Sequence, residues 1–163
     1  IAAARCFSGR RPFRLAGGSP PVLTPLDTSA PYAVAINPAR AHRRTGSNFQ
    51  AEAGAPVERL ARAGRDAAGM LLFGNYRYIC PGRFQALFEM ETASDTGAEA
   101  AVLDISADGG RRTLAECSVP AGFHGTQAVA FAADGYFMIE PRVYYTGRGE
   151  VRIKSIRLVE QAP

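Results

Sequence analysis

The stretch Gly69 to Glu91, GMLLFGNYRYICPGRFQALFEME, sets two strand-like segments on either side of a Pro81-Gly82 turn. From Arg83 onward Phe84, Ala86, Phe88 and Met90 alternate with Arg83, Gln85, Glu89 and Glu91, the two-residue period of a strand with one buried face. Leu87 alone breaks the polar side. A sheet with one apolar face must cover it with a second sheet or with helices, and the chain downstream supplies strands.

Upstream of this stretch, Ser47 to Val57 reads as a short strand with Phe49 and Ala51 on one face and Gln50 and Glu52 on the other. Leu60, Ala61 and Ala67 fit a short helix over Val57 to Ala68 beginning near Pro56, while Gly64 and Gly69 fit a bent loop. Downstream, Ala98 to Ala107 turns Leu103 and Ile105 one way and Val102, Asp104 and Ser106 the other. Asp108-Gly109-Gly110 is a hairpin signal, because glycine tolerates the positive φ that tight turns need. Strands then follow at Arg112 to Val119, Gln127 to Ala132 and Phe137 to Thr146, the last carrying Pro141, which predicts an edge position or a bulge. Glu150 to Val159 changes phase between Val151/Ile153 and Ile156/Leu158, as a β-bulge at Lys154-Ser155 would produce. Eight or nine short strands with hardly any helix define an all-β chain, an antiparallel two-sheet β-sandwich over residues 46–161.

Residues 1–45 differ in kind. Seven arginines there face the single Asp27, a net +6, so the remainder of this +4 chain is about −2. Six prolines and no sustained period predict an extended basic arm or linker, from which Tyr32 to Ile36 could add an edge strand or dock onto another subunit. A net-acidic body with a basic arm argues against a folded surface that grips nucleic acid, while the arm fits contact with phosphates, an acidic partner or a membrane surface, or, as the plainer reading, a solvated linker or an arm packed on a neighbour in a larger protein complex. No apolar stretch reaches membrane-spanning length. Without an initiator Met or an apolar signal region, the chain reads as a processed product or a piece of something longer.

Catalytic and metal signatures are missing from the sequence. There is no nucleophile elbow, phosphate loop, zinc-protease motif or dinucleotide fingerprint. Cys6, Cys80 and Cys117 form no paired metal-ligand spacing, and His42 and His124 lie far apart, so no metal site and no cofactor is expected. Free buried thiols, or a Cys80–Cys117 bridge, are the alternatives for the cysteines. A histidine-assisted nucleophile would need His124 beside Ser118 or Cys117. Glu89, Glu91, Asp104, Glu116 and Glu140 read as solvated strand acids, and Arg142 as the partner of an acid such as Glu140. No catalytic residue is assigned, and the chain is expected not to be an enzyme.

The chemistry left is binding. Sugar recognition by a sandwich needs flat aromatic faces and planar hydrogen-bonding groups, which Tyr76-Arg77-Tyr78 and Arg142 with Tyr144 and Tyr145 supply. The segments LLFGNYRYICPGRFQALFEMET, AEAAVLDISADGGRRTLAE and PRVYYTGRGEVRIKSIRLVE resemble the galactose-binding-like jelly rolls of carbohydrate-binding modules, particularly those appended to bacterial glycosyltransferases and polysaccharide-assembly proteins. The resemblance covers Ser47 to Glu160 and implies a noncatalytic jelly roll that binds a glycan or polysaccharide, with Tyr76, Arg77, Arg142 and Tyr144 as the ligand-binding set. Phe49-Gln50-Ala51-Glu52 is similar to the opening strand of calcium-dependent members, but Ser155 stands where these often carry Asp, which argues against a Ca²⁺ site at Glu52. Asn75 stands in place of a common proline and Phe84 in place of Tyr, and the chain has no Trp. The competing expectation is an accessory subunit that docks through its arm and binds no sugar.

Overall fold

The structure of the protein is a computed structural model that describes residues 13–15, 23–25, 33–38, 41, 48–50, 58–93 and 97–161. Thirteen strands are present among them: β1 (Phe13–Leu15), β2 (Leu23–Pro25), β3 (Ala33–Ile36), β4 (Asn48–Gln50), β5 (Glu58–Arg62), β6 (Gly69–Leu72), β7 (Arg77–Ile79), β8 (Gly82–Ala93), β9 (Ala101–Ala107), β10 (Arg112–Val119), β11 (His124–Ala133), β12 (Phe137–Tyr145) and β13 (Glu150–Glu160). A five-stranded sheet runs β10-β9-β12-β6 with β7 also on β12, and a six-stranded sheet runs β11-β8-β13-β5-β4 with β3 also on β13. All pairings are antiparallel. From β8 on the chain switches sheets at four of its five connections, staying in one sheet only at the β9–β10 hairpin, and so winds a jelly-roll sandwich. The expected fold class is the observed one.

The alternation that opened the sequence reading is reproduced along β8, where Phe84, Ala86, Phe88 and Met90 are buried between more accessible neighbours. Phe84 stacks on Phe131 of the neighbouring β11 with ring centroids 5.5 Å apart. From the opposite sheet Leu103, Ile105, Ile139 and Val143 close the same core. Tyr145 is buried with them, its hydroxyl donating to the Gly149 carbonyl at 2.8 Å, and burial pushes its pKa upward. The bulge expected in β13 is there: Ile153 pairs with Met90 and Ser155 with Glu89, which leaves Lys154 as the extra residue and turns both Ile153 and Ile156 inward.

Three local expectations change. The helix read over Val57 to Ala68 is instead β5, paired to β13, and a single turn in which Asp66 N–H reaches the Arg62 carbonyl at 2.8 Å. Gly64, at φ +77°, lies in the middle of that turn, so the helical spacing of Leu60, Ala61 and Ala67 never becomes a helix. Pro141 lies neither on an edge strand nor in a bulge: it faces Ile105 on one side and, on the other, the break between β7 and β6, where its missing N–H leaves no ladder bond unmade. Cys80 is disulfide-bonded and Cys117 is a free thiol, so the two do not bridge each other and the partner of Cys80 lies outside the described residues.

Part of the basic arm belongs to the sandwich. β3 adds to the β13 edge through Ala33 to Ile36, with Ile36 buried in the core. Just beyond it, the Pro38 and Ala41 carbonyls accept hydrogen bonds from the buried Arg59 guanidinium of β5, the former at 3.1 Å. β1 and β2 form a separate two-stranded ribbon. The strand expected from Ser47 appears as β4, and residues 51–57, Glu52 among them, lie outside the described part. No described helix is long and apolar enough to cross a membrane.

Candidate functional site

On the five-stranded sheet β12 turns Ile139, Pro141, Val143 and Tyr145 into the core, which leaves Met138, Glu140, Arg142 and Tyr144 on the outer face. On β9 the outer residues are Val102, Asp104 and Ser106, and the register sets Arg142 against Asp104, Glu140 against Ser106 and Tyr144 against Val102. Arg142 therefore bonds Asp104 through both prongs, Nε to Oδ1 at 2.7 Å and Nη2 to Oδ2 at 2.9 Å. This fork-to-fork geometry raises the guanidinium pKa, chiefly through the Asp104 hydrogen bonds.

Asp104 is only 7 % exposed and Glu140 4 %, although both project from the outer face. The segment Gly74 to Tyr76, which interrupts what would otherwise be one strand from β6 to β7, provides part of their cover. Gly74 N–H donates to Glu140 Oε1, and Tyr76 lies close enough to Arg142 to interact with its charge. Asn75 between them is buried and its Nδ2 has no hydrogen-bond partner. From the other side comes the β9–β10 turn, where a Cβ on Gly110 would stand 3.1 Å from Arg142 Nη1. Asp104 and Glu140 are thus buried, hydrogen-bonded groups rather than the solvated acids expected, and Arg142 pairs with Asp104 in place of Glu140.

Of the four residues expected to bind ligand, Tyr76, Arg142 and Tyr144 come together here, the tyrosines 42 % and 38 % exposed. Arg77 does not join them. It pairs with the core-facing Ile139, so the register turns it to the other side of β7, and its Nη1 donates to the Tyr76 carbonyl at 2.8 Å. Tyr78, opposite Met138 and 63 % exposed, shares the outer face instead. Period-2 alternation carries the signal for this exchange, since Tyr76 and Tyr78 share a parity that Arg77 lacks. Tyr145, also expected to offer its ring, is in the core.

The outer face of the six-stranded sheet carries exposed charge. Glu91 accepts from Lys154, with His124 Nε2 at 2.9 Å and Arg152 Nε at 3.8 Å, and its carboxyl is held below the ordinary value mainly by the Lys154 hydrogen bond. Arg152 also reaches Glu58 at 3.1 Å and Glu150 at 3.2 Å. Beside this network is an open concavity of about 370 Å³, lined by Leu87, Glu89, Thr126, Ser155 and Arg157, in which Ser155 Oγ donates to Glu89 Oε2 at 2.8 Å. His124 is therefore engaged with Glu91 on β8, while Ser118 and Cys117 stand on β10 in the other sheet. Among the described residues no group of three or more His, Cys, Asp or Glu is placed to hold a metal ion.

No protein-family profile and no curated protein matches the sequence. Among solved structures the chain is similar to the C-terminal family 6 carbohydrate-binding module of a marine laminarinase from Zobellia galactanivorans, at 15 % identity and TM-score 0.46 over 78 % of this chain and 99 % of that one. It is similar to a family 6 module of lichenase 5A from Cellvibrio mixtus, in complex with cellotriose, at 14 % identity and TM-score 0.46, covering 79 % and 98 %. A family 15 xylan-binding module gives 13 % identity and TM-score 0.45, covering 80 % and 97 %.

Proposed function

We propose that this chain is a noncatalytic carbohydrate-binding module, working with a polysaccharide-processing or glycosyltransferase system, and that its glycan lies on the outer face of the five-stranded sheet. The observation that carries the reading is the gathering there of three of the four large apolar side chains exposed among the described residues, Tyr76, Tyr78 and Tyr144, around the Asp104–Arg142 pair. A pyranose presents an apolar face for an aromatic ring and hydroxyls for planar donors and acceptors. Arg142 spends Nε and Nη2 on Asp104 and keeps Nη1 for a ligand oxygen.

The noncatalytic part of the reading is supported by the site's own bonding. Its two carboxylates, Asp104 and Glu140, are tied to Arg142 and to Gly74 N–H, and no histidine lies on this face among the described residues. The accessory-subunit alternative draws on residues 1–45, of which Ala33 to Ile36 already serve the sandwich as β3, so docking would fall to the part before Ala33.

The full chain screened on a glycan array, followed by calorimetric titration of the best ligand, tests the proposal. Tyr76→Ala removes one stacking face and is expected to weaken binding about tenfold, a loss of roughly 1.4 kcal/mol, with the melting temperature unchanged. A blank array, or a Tyr76→Ala protein that fails to fold, would turn the tyrosines into packing and leave the accessory-subunit reading.

A further inference from the structure

We infer that the free edge of β11 pairs with the β11 edge of a second copy of this chain, joining two six-stranded sheets into one continuous sheet. β11 ends its sheet, bonded to β8 on one side and to no strand on the other among the described residues. Its ten residues, His124 to Ala133, stay in register with β8 without a bulge. The strand contains no Asp, Glu, Lys, Arg or Pro, and its outer face presents only His124, Thr126, Ala128, Ala130 and Ala132, all exposed.

Open edges of this kind template further pairing, and natural sheets blunt them with charge, proline, bulges or brevity. The other described edges are blunted in those ways. β10 carries Arg112 and Glu116 and slips register between Thr113 and Ala115. β6 and β7 are short pieces broken at Gly74 to Tyr76, and β3 and β4 run for four and three residues. β11 has none of these devices.

The ends of the strand point to a second copy as the occupant. Antiparallel pairing about a twofold axis through Val129 sets Ala128 against Ala130, Thr126 against Ala132, and His124 against Asp134 of the second copy. The imidazole, whose Nε2 already stands 2.9 Å from Glu91 of its own copy, and the Asp134 carboxylate, one residue past the end of β11, meet at both ends, so the complementarity repeats as an isologous interface requires. Asp134 is available for this: its side chain is 86 % exposed, with Arg112 at 3.8 Å. Small alanines along the outer face let the second strand approach. One bond must give way, from Gln127 Nε2 to the Ala128 carbonyl at 3.2 Å, and a backbone N–H of the second copy replaces it.

Sedimentation of the full chain over about a hundredfold range of concentration tests the inference. The expected result is a species of about twice the 17.4 kDa chain mass that grows with concentration. Hydrogen exchange should slow with concentration in β11 but not in β10. Ala130→Lys, which sets an ammonium on the pairing edge, is expected to weaken the dimer at least tenfold, and Thr126→Lys serves as an independent probe should Ala130→Lys not fold. A chain that stays monomeric throughout, or a dimer that neither substitution weakens, overturns the proposal.

Discussion

The two outer faces of this sandwich carry similar charged residues and treat them in opposite ways. On the five-stranded sheet Arg142 and Asp104 are paired once, bidentately, beneath the Gly74 to Tyr76 segment and the turn at Gly110. On the six-stranded sheet Glu91, Arg152, Lys154, Glu150 and Glu58 share partners in a network open to solvent. A carboxylate and a guanidinium held under cover have one geometry and a high cost of separation; the same groups in water exchange partners at almost no cost. What differs is the loops laid over one sheet, which turn strand charges into a fixed framework for exposed tyrosines.

Breaking the covered pair should have the largest effect. Arg142→Ala strands a carboxylate that is 7 % exposed and is expected to cost about 3 kcal/mol in urea unfolding. Replacing both partners, Asp104→Leu with Arg142→Met, should recover much of that stability while abolishing the proposed glycan binding, which separates the pair's structural role from the ligand role proposed for it. Next in size is Gly110→Ala. At φ +91° and 3.1 Å from Arg142 Nη1, the new methyl strains the turn and crowds the guanidinium, for about 1–2 kcal/mol and a loss of affinity beyond that of a distant turn substitution. On the open face Arg152→Ala is expected to cost less than about 1 kcal/mol, an effect that shrinks further in high salt. An equal cost for Arg142→Ala and Arg152→Ala would erase the distinction between the faces.

The smallest effect concerns pH. Folding lowers the Glu91 pKa, mainly through the Lys154 hydrogen bond, so its contribution is present above the unfolded carboxylate value and is lost as pH falls through the lower folded value. Glu91→Gln should therefore lower stability by a fraction of a kcal/mol at neutral pH and leave it almost unchanged at the acid end, so that the acid limb of the stability curve flattens. Urea midpoints measured from pH 2 to 7, an interval chosen to bracket the ordinary carboxylate range, check the sign.

Sequence alternation made the sandwich legible wherever one face of a strand is buried and the other wet, as in β8, and it located the bulge at Lys154 from a change of phase. It failed where both faces are buried. Asp104 and Glu140 look like solvated acids because nothing local says that the Gly74 to Tyr76 segment will cover them. The pairing of Arg142 with Asp104, 38 residues away, is a product of cross-strand register rather than of spacing along the chain. Leu60 and Ala61 fit a helix for the same reason: with Arg59 they make three consecutive buried residues that show no strand period, and the carbonyls of Pro38 and Ala41 that accept the Arg59 guanidinium come from the segment read as arm. Within the site, parity alone would have exchanged Arg77 for Tyr78.

The pairing of Ala33 with Val159 has a mechanical consequence. Among the described residues the first strand to enter the sandwich and the last to leave it are zipped antiparallel, so the path into the domain and the path out of it meet at a single point on its rim. A sandwich joined to other parts of a polypeptide in this way hangs as a pendant: pulling on the two paths loads the β3–β13 ladder as a zipper, from its open end, before it reaches the core. The tyrosine face and the β11 edge lie outside that line of force and would keep their shape while the tether is under tension.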